Sequence, residues 1–66
     1  MPFVDVTMIE GRSNAVKEKL IEKLTEAVVE TTGVPIESVR VVLREVPGHH
    51  WGIAGKPKFP APDAGS

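Results

Sequence analysis

A proline follows Met1 directly. While Met1 is attached, the Pro2 nitrogen is an amide with no basic lone pair. Loss of the methionine, usual when a small residue follows it, makes Pro2 a chain-terminal secondary amine, which is both a base and a nucleophile. Two arginines are candidate anion ligands, because a guanidinium stays charged and grips a carboxylate with two parallel hydrogen bonds. Arg40 lies near the start of an apolar run that reads as a parallel strand. Charges are scarce in such strands, and one placed there calls for an anion. Arg12, taken by itself, reads as a solvated turn residue, and Arg44 as interface or surface.

The other polar groups point to less. His49 and His50 are adjacent, and neighbours along a strand face opposite ways. No Asp or Glu stands nearby at ligand spacing, so no metal site is expected. Trp51 reads as core or interface packing. Gly52 to Gly55 lacks the spacing and the strand–helix context of a phosphate loop. No Ser-His-Asp or Cys-His set can be assembled.

The elements that must position these residues are few. Phe3 to Ile9 alternates as a strand, with Val4, Val6 and Met8 on one side and Phe3, Asp5, Thr7 and Ile9 on the other. Gly11 breaks the pattern, and Ser13 or Asn14 is a suitable helix N-cap. From Ala15 to about Thr32 the period becomes helical, and Val16, Leu20, Leu24, Ala27, Val28 and Thr31 form one stripe. Gly33 followed by Val34-Pro35 ends the helix. Val39 to Val46 is a second strand, rich in β-branched residues. Strand, long helix, strand is an α/β, β-α-β unit whose crossover makes the two strands parallel. His49 to Gly55 reads as a short hairpin or an extended segment. Residues 56–66 hold three prolines and read as an extended tail, poorly ordered unless a neighbour holds it. The expected organisation is one domain over residues 1–66, with a core at 2–55 and a Pro-rich tail.

The helix covers one sheet face, and nothing else in the sequence covers the other. A chain of 66 residues buries only about 60% of its unfolded surface. With no Cys it has no disulfide to compensate. Assembly with further copies is the remaining route, and 41% hydrophobic residues suffice for a core and an interface. A net charge of −1 gives no basic stripe for nucleic acid. No apolar run approaches the roughly 20 residues of a membrane span, and no signal peptide is visible. A soluble cytoplasmic protein is expected.

Several of these features stand together. Pro2, the Glu10-Gly11-Arg12-Ser13 turn, one long helix, Ser38-Val39-Arg40-Val41 and the run Trp51 to Gly55 occur in this order and spacing. As a set they resemble the 4-oxalocrotonate tautomerases of the tautomerase superfamily, over about residues 2 to 55. The resemblance implies a tautomerase, or MIF-like, fold, assembled through its sheet as a hexamer of identical chains, a trimer of dimers. It implies cofactor-free proton transfer on a dienol diacid such as 2-hydroxymuconate, or on a 2-keto acid, as in aromatic-ring degradation. By position, Pro2 is the base, Arg12 and Arg40 bind and polarise the dicarboxylate, and Trp51, Ile9 and Ile53 line the pocket. In the family the arginines that meet a given proline come from neighbouring subunits. The related trans-3-chloroacrylic acid dehalogenases carry an Arg and a Glu where this chain has Ile9 and Ile53, so the resemblance favours tautomerisation over addition of water. The tail departs from the family's usual end.

That chemistry suits these residue types. A base that moves a proton from oxygen to carbon must be neutral near working pH. An apolar wall and nearby guanidinium charge both lower the pKa of an amine toward that range. The dienolate intermediate carries charge on oxygen, which Arg40 is placed to stabilise while Arg12 grips the distal carboxylate. Two alternatives stay open: a non-catalytic oligomeric module that binds a small acid with Pro2 blocked, and a hydratase- or decarboxylase-type lyase on the same scaffold.

Overall fold

The computed structural model describes residues 1–61. Strand β1 (Phe3–Ile9) leads to helix α1 (Asn14–Thr32) and then to strand β2 (Arg40–Val46). A short hairpin follows, made of β3 (Gly52–Ile53) and β4 (Lys56–Pro57). Short 3₁₀ turns precede β2 (Ile36–Ser38) and the hairpin (Gly48–His50).

The caps of α1 are those the sequence predicts. The Ser13 hydroxyl accepts a hydrogen bond from the Val16 N–H at 3.3 Å, satisfying an amide that has no partner inside the helix. Gly33 closes the helix in the left-handed conformation at φ 77°, and its N–H reaches the Val29 carbonyl at 2.9 Å. Pro35 then prevents another turn.

β1 and β2 pair in parallel, Phe3 opposite Arg40 through Ile9 opposite Val46. The helix lies on the face that carries Val4, Val6, Met8, Val41, Leu43 and Glu45. An ion pair fixes this, since the Lys17 ammonium reaches from the helix to the Glu45 carboxylate at 2.8 Å. The helix row over the sheet is therefore Lys17, Leu20, Leu24 and Val28, all half-buried. This corrects the stripe read from periodicity. Leu20, Leu24 and Val28 of that stripe lie in this row, whereas Val16, Ala27 and Thr31 are exposed in the single chain and Lys17 stands in the row instead, paired with Glu45. Lys19–Glu22 and Lys23–Glu26 pair along the solvated side at the i,i+3 spacing that makes helix residues neighbours.

The opposite sheet face is open in a single chain. Phe3 is 60% exposed there, and Asp5 and Arg44 pair across it, with the Arg44 Nε 3.0 and 3.3 Å from the two carboxylate oxygens. Among the described residues only Val39 is buried. The radius of gyration is 15.8 Å, against about 11 Å for a compact chain of this length. One chain thus forms two layers and leaves its core unclosed.

Two local expectations shift. His49 and His50 belong to a 3₁₀ turn rather than a strand, and their rings meet edge to face at 4.4 Å. The hairpin straddles residue 55, so Lys56–Pro57 pairs with Gly52–Ile53 instead of starting the tail. Lys58 and Phe59 of the expected tail are also bonded to their own chain, at Trp51 and Gly48, and the expectation for residues 62–66 lies outside the described residues.

Candidate active site

The parallel ladder sorts the candidate residues into two groups, one at each end of the sheet. At the amino ends of the strands, the Arg40 N–H donates to the Pro2 carbonyl at 3.0 Å. Pro2 is half-buried, whereas Met1 is 83% exposed. The 3₁₀ turn Ile36–Ser38 delivers Arg40 to this end. It is held by the Ser38 N–H and hydroxyl, which donate to the Pro35 carbonyl at 3.0 and 2.8 Å. The Arg40 guanidinium folds back on this turn. Its Nη1 donates to the Glu37 carbonyl at 2.6 Å and the Val39 carbonyl at 3.2 Å.

At the carboxyl ends lie Ile9 and Arg12. The Glu10 N–H closes the ladder on the Val46 carbonyl at 2.9 Å, and the chain then bends through Gly11 at φ 130°. This bend returns Arg12 toward β1, where its Nη1 donates to the Ile9 carbonyl at 3.0 Å. Both arginines are therefore tied through Nη1 to the carbonyl three residues earlier. Their Nη2 and Nε groups have no partner among the described residues and are available to a carboxylate.

These two groups do not meet within one chain. The carbonyl that holds Arg12 is that of Ile9, and six steps along a strand separate Ile9 from Phe3, roughly 20 Å at about 3.3 Å per residue. A ligand gripped by Arg12 thus cannot reach Pro2 of the same chain.

Trp51 and Ile53 lie on a third element, the hairpin. Trp51 is half-buried where the second 3₁₀ turn ends, and Ile53 is 57% exposed on β3. Ala54 and Gly55 form the turn between β3 and β4, with φ of 52° and 84°. Positive φ at both positions is the signature of a type I′ hairpin turn. Among the described residues no group of three or more His, Asp or Glu side chains is arranged to hold a metal ion.

The Asp5–Arg44 and Lys17–Glu45 pairs were not visible in the sequence. Parallel register set Asp5 near Arg44, and helix rotation set Lys17 over Glu45, neither of which local spacing reveals.

The chain is similar to known proteins along most of its length. A family model described as tautomerase enzyme matches residues 2–59. A probable tautomerase of Ralstonia nicotianae is 56% identical over 61 residues, covering 92% of this chain and 87% of that protein. A 2-hydroxymuconate tautomerase of Pseudomonas putida is 54% identical over 55 residues, covering 83% of this chain and 87% of that protein. Among solved structures, a heterohexamer 4-oxalocrotonate tautomerase from Chloroflexus aurantiacus superimposes with a TM-score of 0.84 at 36% identity. That match covers 88% of this chain and 94% of the other.

Proposed function

The chain belongs to the tautomerase family, and we propose that it is an isomerase converting 2-hydroxymuconate or a similar dienol diacid to its keto form, with Pro2 as the base. The observation that carries this reading is the family match over residues 2–59, which takes in every candidate site residue from Pro2 to Ile53. The 54% identity to a 2-hydroxymuconate tautomerase supports the substrate class.

Once Met1 is removed, the Pro2 amine takes the proton of the enol hydroxyl. The resulting dienolate spreads its charge between oxygen and carbon. The protonated proline then returns the proton to carbon, completing the isomerisation with no net change in atoms or charge. Proline needs no further group to activate it, and its ring fixes the direction of the lone pair. Arg40 binds the 2-oxo and carboxylate end, where charge develops, and Arg12 holds the distal carboxylate. Anchoring Nη1 of each arginine on a backbone carbonyl orients the rest of the guanidinium before the ligand arrives. Trp51, Ile9 and Ile53 supply the apolar wall that keeps the amine neutral.

The site is assembled from several chains. Roughly 20 Å of strand separates the ends that hold Pro2 and Arg12, so the Arg12 that meets a given proline belongs to a neighbouring subunit. The open sheet face, with only one residue buried among those described, calls for the same association. We place the protein as a homohexamer, a trimer of dimers, of single-domain chains in the cytoplasm. The hexameric relative is a heterohexamer, so native mass measurement of the purified chain tests the homohexamer.

The test of activity is an ultraviolet assay of ketonisation with 2-hydroxymuconate and phenylenolpyruvate. Turnover of either supports the enzyme. Tight binding of a dicarboxylate without turnover of either would contradict it.

A further inference from the structure

We propose that Phe59 is a positioning residue for Trp51, an inference that rests on Trp51 forming a wall of the substrate pocket. Both backbone polar groups of Trp51 are engaged by the chain around it. Its N–H donates to the Gly48 carbonyl at 3.2 Å, and its carbonyl accepts the Lys58 N–H at 2.7 Å. The Gly48 carbonyl also accepts the Phe59 N–H at 3.4 Å. The segment after β4 is thus fastened to the turn that carries Trp51.

The Phe59 ring is the side-chain part of that fastening. It lies on Gly48 so closely that a Cβ there would overlap its Cδ2 and stand 3.1 Å from its Cγ. Gly48 is not among the residues with positive φ, so its backbone conformation does not demand glycine. The ring does. The hairpin between them has only two residues in each strand, too few to be stable without an apolar contact. Ring on glycine provides that contact and holds Lys58 where its N–H reaches Trp51. Loss of the ring frees residues 58 and 59, removes the partner of the Trp51 carbonyl, and lets the indole drift.

Trp51 is the only tryptophan, so emission from the protein reports that residue alone. The experiment compares the full chain with Phe59→Ala, Gly48→Ala and Phe59→Tyr. Each is measured by acrylamide quenching of Trp51 and by steady-state ketonisation of 2-hydroxymuconate. Phe59→Ala removes the ring, and Gly48→Ala displaces it with a new Cβ. Both are expected to increase quenching and to raise KM about five- to tenfold, with kcat changed less than about twofold. Phe59→Tyr keeps the ring and is expected to behave as the parent chain. Unchanged quenching in both Phe59→Ala and Gly48→Ala would overturn the positioning role. Increased quenching with unchanged KM would overturn the link from Trp51 to the pocket. If the parent chain turns over no dienol, the tautomerase reading fails by itself, and quenching still decides whether Phe59 holds Trp51.

Discussion

The backbone N–H of Arg40 donates to the carbonyl of Pro2 at 3.0 Å, the first rung of the parallel sheet. The bond that starts the fold therefore also sets Pro2, the proposed base, and one guanidinium-bearing residue side by side. Arg12 stands at the other end of the same strand pair, bound to the Ile9 carbonyl at 3.0 Å. In the proposed mechanism the two arginines have different parts in the reaction.

Arg40→Ala should lower kcat by about 100- to 1000-fold, the usual cost of removing a donor to a developing oxyanion. Arg12→Ala should mainly raise KM, since the distal carboxylate is held alike in the ground and transition states. Steady-state kinetics of the two variants checks the assignment, and the reverse pattern would exchange the roles.

The pH profile has a required sign. The amine acts as a base only when unprotonated, so kcat/KM should rise with pH through the titration of Pro2 and then level off. A flat profile between about pH 5 and 9, with chemistry shown to limit the rate, is incompatible with a proline base.

Ala54 is a point of stored strain. At φ 52° it occupies the left-handed region, which costs a residue with a Cβ roughly 1–2 kcal/mol. Asn tolerates that conformation and is favoured at the first position of a type I′ turn. Ala54→Asn should stabilise the fold by about 0.5–1 kcal/mol, and Ala54→Val should destabilise it. Thermal unfolding at fixed protein concentration measures both, because the midpoint of an oligomer depends on concentration.

The sequence was most legible where signals are local. The alternation of Phe3 to Ile9, the Ser13 cap and the Gly33 stop each depend on neighbouring residues, and each forms as expected. The resemblance through Pro2, Arg12 and Arg40 named the family, although spacing alone left Arg12 a plain turn residue. Non-local geometry was less readable. Rotation of the helix toward Glu45 depends on packing, so the stripe read from the period took in Val16 and passed over Lys17. The β3–β4 turn lacked its usual Asn-Gly signature because Ala54 fills the first position, and the hairpin's end at Lys56–Pro57 passed for tail. Pro47-Gly48 marks a turn, but nothing local shows that it continues as a 3₁₀ turn through His49 and His50, which read as part of a hairpin or extended segment.

The central claim is that the free amine of Pro2 performs the proton transfer. It is tested most directly by intact-mass spectrometry of the active protein, with turnover measured on the same sample. A chain lacking Met1 is expected, with activity proportional to the fraction processed. Full turnover of 2-hydroxymuconate by chains that all retain Met1 would contradict it, because the Pro2 nitrogen would then be an amide.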